Sequence, residues 1–360
     1  MGKTRKKRSR RNKNQKNRIS NNFKPFYKLT SNSKSKKTKR KRHQKESEHV
    51  NGFSHSDIQL FKQLTRLHSP ASQEERATQF ILDFIRNNKK SWKVKPRVLH
   101  GGDFQNNIVL VFGKPKLALF AHLDNVGFTV GHNKQLFPIG GIELIKNATL
   151  RGFDINDKPV STKLLYNSKK IYHAKKDIIE LGTNLTYLPE WKVKNNQITS
   201  GNIDDKFGVF MGLHLAKNLK NGIIVFSAGE EVDGGNIPFL IKYIHEKFKI
   251  KNTIVLDVTM EEHNLKIGLG PAVAIRDEDI FDRKFIQRVI DTLKKEKATF
   301  QIAVGDEGSS DGKAIAHSPF PINTAFMGAC IKNIHTPFEV IHKNDFSHTL
   351  NCLNILFKKL

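Results

Sequence analysis

From about Ser56 onward, the apolar residues fall into short unbroken runs separated by stretches with helical spacing. The runs at 117–121, 223–227 and 253–256 have almost no internal alternation. Runs of that kind predict strands buried on both faces. Residues 107–112, 116–121, 299–304 and 322–327 complete the expected strand set. Between the strands the period lengthens to that of a helix. Residues 57–68 predict a short helix. Ser72 and Glu75 have capping-box spacing, followed by Ala77, Phe80, Ile81, Phe84 and Ile85 at helical intervals. An amphipathic helix is expected after Asp204-Asp205, running to about Leu219, and another helix opening at Asn236 and Pro238. Further helices are expected over 282–297, over 310–317 and from about Asp345 to the end.

Strands alternate with helices across 206–360, which predicts an α/β fold with a mostly parallel sheet and helices on both faces. Residues 131–200 break that rhythm with β-type runs, turns and no strong helix, and are expected to form an inserted small β subdomain. The expected organisation is a tail over 1–55, a main domain from 56–130 and 201–360, and the insert 131–200. No internal repeat is visible.

Charge changes the picture at one end only. Residues 1–50 hold 20 of the 62 Lys and Arg and two of the 34 acids, and so +18 of the net +28. A segment this polar cannot bury enough apolar surface to offset its ordering entropy, so disorder is expected. Three roles fit it: a solvated tail, a tether to nucleic acid or a nuclear or nucleolar address, and attraction to an anionic membrane. Its aromatics, Phe23, Phe26 and Tyr27, are too sparse for base stacking. No apolar core follows the basic start as in a signal peptide, and no run approaches the ~18 apolar residues of a membrane span. Two cysteines, Cys330 and Cys352, make no disulfide framework, so a reducing, cytoplasmic compartment is expected.

The candidate chemistry sits where the apolar runs end. The first run leads into His122-Leu123-Asp124, the second into Ala228-Gly229-Glu230-Glu231 and the third into Asp257. Open α/β sheets bind ligands just past the carboxyl ends of their strands. One histidine among 15 carries little weight, but Asp124 is spaced to hold the second ring nitrogen of His122, as carboxylates do for metal-binding imidazoles. Adjacent carboxylates in extended backbone point in different directions, so Glu231 can hold a metal while Glu230 acts as a base. Asp204-Asp205 stands at a helix entry, where one aspartate can cap and the other can bind. With His335, the candidate ligands are His122, Asp204, Glu231, Asp257 and His335. Their three carboxylates, two divalent cations and one hydroxide form a neutral set. Oxygen and imidazole donors without thiolate suit Zn²⁺ first, with Co²⁺ or Mn²⁺ as alternatives.

These segments resemble the two-metal aminopeptidases of the glutamyl-aminopeptidase and tetrahedral (TET) type. The resemblance rests on Ala121-His122-Leu123-Asp124-Asn125-Val126-Gly127-Phe128, Asp204-Asp205-Lys206-Phe207-Gly208 and Gly229-Glu230-Glu231-Val232. It continues through Asp257-Val258-Thr259, Gly268-Leu269-Gly270-Pro271, Ser310-Asp311-Gly312 and Ile334-His335-Thr336-Pro337-Phe338-Glu339, in collinear order over roughly 58–358. It implies that Asp204 bridges two metals, with a cis Asp204–Asp205 peptide. It implies that His122 and Asp257 complete one metal, and Glu231 and His335 the other. Glu230 would take a proton from a bridging water and pass it to the leaving amine. The insert would correspond to the family's small β domain, which builds homo-oligomers and shapes access. Four features depart from the pattern: Asn125 replaces an acidic residue, Ile331-Lys332-Asn333 stands where an arginine is common, the insert is short for the family, and the basic tail is foreign.

The implied activity is removal of the N-terminal residue of a peptide substrate. A related two-metal carboxypeptidase or N-acyl amino-acid deacylase is the alternative among enzymes. Outside enzymes, the alternative is a retired peptidase fold that binds nucleic acid or another polyanion, or serves as a scaffold.

Overall fold

A computed structural model describes residues 52–174, 179–262, 264–306 and 308–360. These residues all belong to one unit, Glu48–Leu360. The basic segment and its proposed polyanion contacts lie outside the described residues. The last residues of the expected tail do not belong to it: Phe53 is buried against Phe210 and Phe346.

In chain order the elements begin α1 (His55–Thr65), α2 (Glu75–Asn88), β1 (Arg97–His100), β2 (Ile108–Phe112), β3 (Leu117–His122), β4 (Gly127–Val130) and β5 (Leu136–Ile139). Next come β6 (Thr149–Phe153), β7 (Pro159–Tyr166), β8 (Ile171–His173), β9 (Asn184–Tyr187), β10 (Trp191–Lys194) and β11 (Gln197–Ser200). Then follow α3 (Ile203–Asn218), β12 (Gly222–Ser227), α4 (Ile237–Phe248), β13 (Asn252–Met260), β14 (Ala272–Arg276) and α5 (Arg283–Lys295). The chain closes with β15 (Gln301–Val304), α6 (Asp311–Ala316), β16 (Asn323–Lys332), β17 (Glu339–His342) and α7 (Lys343–Lys359).

The large sheet runs β1-β2-β12-β3-β13-β16-β17-β11-β10, with β14 joining β16 and β15 joining β14. Its centre, β12-β3-β13-β16, is parallel, as the strand–helix alternation predicts. The hairpins β1-β2, β10-β11 and β16-β17 are antiparallel, whereas β15 joins β14 in parallel through the crossover helix α5. Every residue of β2, β3 and β12 is buried. Covering both faces of such strands is the main source of stability, at ~1.5–3 kcal/mol per large apolar side chain. Helix α3, expected to be amphipathic, is instead buried on all faces from Ile203 through Ala216, because it forms the central packing element.

The small sheet runs β5-β4-β9-β6-β7-β8, and a bridge between Gln135 and Tyr172 nearly closes it into a barrel. It has its own core of Phe128, Val130, Leu136, Leu150, Leu164 and Leu185. The 131–200 stretch is therefore divided. β10 and β11 leave the small sheet and form a hairpin on the edge of β17, where Ile198 pairs with Ile341. Among the described residues, no helix is long and apolar enough to cross a membrane.

The expected capping box at Ser72 does not form. Pro70 pairs with Asn125, the chain must turn there, and Ser72 takes φ +72 with its N–H donating to Glu74 Oε1 at 2.7 Å. The capping box lies earlier: Ser54 accepts from the Asp57 N–H, and Asp57 Oδ2 accepts from the Ser54 N–H at 2.9 Å. Asp57 Oδ1 also meets His214 Nε2 at 2.9 Å and accepts from Lys217 at 3.2 Å, tying α1 to α3.

The His214 and Ser54 hydrogen bonds hold the Asp57 carboxyl well below the usual carboxylate range, against partial burial. A carboxylate with a depressed folded value stabilises fully above its unfolded value of ~3.9 and loses that contribution as pH falls through the folded one. Asp57→Ala is expected to cost about 1–2 kcal/mol at neutral pH. Urea titrations at several pH values should show the difference shrinking toward strongly acidic pH.

Candidate active site

The carboxyl ends of the central strands bring the sequence-derived candidates into one buried cluster. His122 is the last residue of β3, and Glu230 and Glu231 lie in a 3-10 turn just after β12. Asp257 was expected past a strand end, but β13 continues to Met260. Its pairing with β3 stops at Val255, so Asp257 stands where one side of the strand opens. Asp204 and Asp205 open α3, and the peptide bond between them is cis. His335 follows β16 in a turn, at φ +60, a left-handed conformation that β-carbon sterics disfavour.

Asp204 lies between the two imidazoles. Its Oδ1 is 2.9 Å from His122 Nε2, and its Oδ2 is 3.2 Å from His335 Nε2. Around His122 Nε2 stand Asp257 Oδ1 at 3.7 Å and Glu230 Oε2 at 3.8 Å. Around His335 Nε2 stands Glu231 Oε1 at 3.7 Å. Three sets of donor atoms each fall within 4.8 Å of one another: His122/Glu230/Glu231, His122/Asp205/Asp257 and Asp204/Glu231/His335. Oxygen and imidazole donors at this density fit divalent cations, and neither thiol competes. Cys330 and Cys352 are buried in packing, which pushes each up to about 12.

Side chains behind the cluster set its backbone. Asp124 Oδ1 accepts from the N–H groups of Gly229 (3.0 Å) and Glu230 (3.1 Å), and Oδ2 accepts from that of Glu231 (2.9 Å). Asn107 Oδ1 takes the preceding N–H, that of Ala228, at 2.8 Å. Four successive backbone donors are thus fixed by two side chains. Asp124 also faces His122 Nδ1 at 3.5 Å, the relation its spacing suggested. Asp205 Oδ1 caps α3 through Gly208 N at 2.7 Å, and Oδ2 accepts from His122 N at 3.2 Å. Asn125 joins the network as a neutral group: its Oδ1 accepts the Ser69 hydroxyl at 2.7 Å.

Sequence reasoning assigned no role to Glu339, Lys206 or Gly141. Glu339 Oε2 accepts from the N–H groups of Ile203 and Asp204, and Oε1 from that of His335 at 2.9 Å. One buried carboxylate therefore grips both the loop carrying Asp204 and the turn carrying His335. The available signal was its position four residues after His335. Lys206 is fully buried and donates to the carbonyls of Leu123 and Asp124. His335 Nδ1 donates to the Gly141 carbonyl at 2.8 Å, which leaves Nε2 facing Asp204 and Glu231. Gly141 belongs to the loop after β5, so the small sheet contributes to the site.

The electrostatics follow from burying so many carboxylates together. Burial, with Asp204 nearby, pushes Glu231 up to about 7. Glu230 and Asp257 are raised well above the usual range, by burial first and by neighbouring carboxylates next. Burial opposes the charged form of His335, but Asp204 and Glu231 outweigh it and raise the imidazole to about 10. Burial lowers Lys206 to about 8 against the pull of the surrounding acids. Such a cluster favours any added positive charge.

A mixed α/β sheet with this donor cluster at its strand ends, beside a small near-barrel, defines a hydrolase of the metallopeptidase class. A profile of the M42 glutamyl aminopeptidase family matches residues 167–352, more than half of the chain, and the chain belongs to that family. A curated protein of Acetivibrio thermocellus, assigned there provisionally as an aminopeptidase, is 22% identical over 331 residues, covering 82% of this chain and 96% of its own length. An aminopeptidase from the archaeon Desulfurococcus kamchatkensis superposes with a TM-score of 0.75 at 19% identity, over 85% of this chain and 95% of its own. A Pyrococcus horikoshii TET1 peptidase, described as assembling into a tetrahedron or a large octahedral shell, gives 0.71 at 19% identity over 84% of this chain and 100% of its own. The protein is a peptidase.

Glu339→Gln keeps the volume but turns an amide toward backbone donors, so one N–H is left unsatisfied. We expect kcat/KM to fall at least about tenfold, since a lost buried acceptor costs ~1–3 kcal/mol. Steady-state kinetics on an aminoacyl amide, with a melting curve as fold control, checks this. Unchanged kinetics would remove Glu339 from the positioning of the two ligand loops.

Proposed function

We propose that the protein is an aminopeptidase that works with two divalent cations. The observation that carries this is Asp204, whose two oxygens face different imidazoles. His122 and Asp257 would hold one cation, Glu231 and His335 the other, and Asp204 both. Bound there, the cations polarise the scissile carbonyl and ease deprotonation of the attacking water. Zn²⁺ is the first choice for this donor set, with Co²⁺ and Mn²⁺ next.

Glu230 is the general base in this reading. Its carboxylate borders the cluster, 3.8 Å from His122 Nε2, and its backbone N–H is fixed by Asp124. It takes the proton from water and returns it to the departing amine. Asp124 and Asp205 act through others, one holding the Glu230-Glu231 turn and the other the His122 backbone. The acidic surroundings attract the ammonium of a free peptide N-terminus. A homo-oligomer built through the small sheet is part of the same proposal, and Phe137, Ile155 and Leu181 are exposed there.

Wild type and Glu230→Gln are both expected to bind two metals per chain by elemental analysis. Turnover should fall by ~10²–10⁴ in the variant, the usual worth of a positioned base. Metal-free protein after reconstitution with Zn²⁺, Co²⁺ and Mn²⁺ would sink the two-metal reading. A panel of free and N-acetylated peptides tests the substrate: cleavage confined to the blocked peptides would replace the aminopeptidase with the deacylase.

A further inference from the structure

The carboxylates gather at the carboxyl ends of the central strands, and the opposite ends of those strands carry the opposite charge. Register places Asn252 beside Leu117 and Ile223 beside Ala118, so the starts of β3, β12 and β13 form one edge. Four connecting segments meet there: 89–97, 113–117, 217–222 and 247–252. Lys93 N donates to the Lys217 carbonyl at 3.0 Å, and Lys114 N to Asn221 Oδ1 at 2.8 Å. Arg97 pairs with Val111 at the end of β2, which brings the first segment to the same edge. Together the four segments contain twelve Lys and Arg and no Asp or Glu.

Lys93, Lys114, Lys116, Lys220, Lys249 and Lys251 are all exposed. None of them is in an ion pair among the described residues, where Lys217 is the basic residue of these segments that pairs, with Asp57. The helix dipole accounts for lysines in last turns, such as Lys217 and Lys247. It does not account for Lys114 and Lys116 between two strands, or for Lys220 and Lys251 beyond the helix ends. With strands ~4.8 Å apart, the edge from β1 to β13 spans about 20 Å. Like charges at this spacing are only partly screened in physiological salt, where the Debye length is ~8 Å. A polyanion laid across the edge relieves their repulsion.

The side chains also favour one polyanion over another. The large exposed apolar residues, among them Ile155, Val232, Ile280 and Val304, all lie outside the four segments. The aromatic residues of these segments are engaged in packing: Trp92 is buried, and Phe248 is half-buried against the core and edge-on to Tyr243. The edge therefore offers no wedge for a bilayer and no platform for bases. It offers ammonium groups alone, which suit phosphates spaced along a backbone. We propose that this edge docks the phosphate backbone of nucleic acid without sequence selectivity, leaving the peptidase site at the other pole open.

The test uses the full chain and a short mixed-sequence DNA duplex, followed by fluorescence anisotropy at several salt concentrations. The variant combines Lys114→Gln, Lys116→Gln, Lys220→Gln and Lys251→Gln. Affinity should fall about tenfold or more, and the slope of log K against log salt should flatten by ~2–4, since each phosphate contact contributes ~0.9. Peptidase turnover should be unchanged, which also shows that the variant folds. Unchanged affinity and slope would overturn the proposal and assign duplex binding to residues 1–50. Loss of binding to phosphatidylserine vesicles, with duplex binding intact, would overturn it in favour of a lipid surface.

Discussion

The structure depends on one electrostatic constraint: a knot of carboxylates must be buried away from bulk solvent. Burying an unpaired charge costs several kcal/mol, so each acid needs donors already in place. Backbone N–H groups provide most of them. Asp124 takes three, Asp205 two and Glu339 three. The loops at the strand ends have the shapes they have because their amides must point at these oxygens. Among the described residues, Lys206 adds the one fully buried ammonium, held by the carbonyls of Leu123 and Asp124.

The rest of the fold serves that arrangement. Parallel strands end at a common level, which is the cheapest way to bring distant segments together at one pole. Helix α3 is buried on all sides because it runs from the site through the middle of the molecule. Its first residues therefore cannot drift from the ends of β3 and β12. The same topology sends the starts of these parallel strands to the far pole. Acid and base are in this way separated along the length of the sheet.

How far this could be read in the sequence varies with the range of the interaction. The strands β3 and β12 were legible because a run buried on both faces needs no partner to be recognised. His122, Glu230, Glu231 and Asp257 were legible because each follows such a run, and Asp204 and His335 because they stand in the collinear motifs that carry the family resemblance. What depends on register was not. Asp257 lies inside β13 because that strand stays paired with β16 after its pairing with β3 ends, which no local pattern reveals. The Ser72–Glu75 spacing was misleading because Pro70 pairs with Asn125 and commits the chain to a turn. The parts played by Glu339 and Gly141 rest on contacts to residues 203–204 and 335, and only the folded chain brings those together.

The hydrogen bond from His335 to Gly141 has a mechanical consequence. Gly141 lies in a loop pinned by Tyr187, whose hydroxyl donates to the Glu143 carbonyl and accepts from Ile145 N, and Tyr187 is packed in the core of the small sheet. One imidazole of the site is thus aimed by a body with its own hydrophobic core, while the other is fixed in the large sheet. Rocking one body against the other would turn that ring and change its bite on whatever it holds. The aim of that ring is therefore set by how the small sheet is seated on the large one.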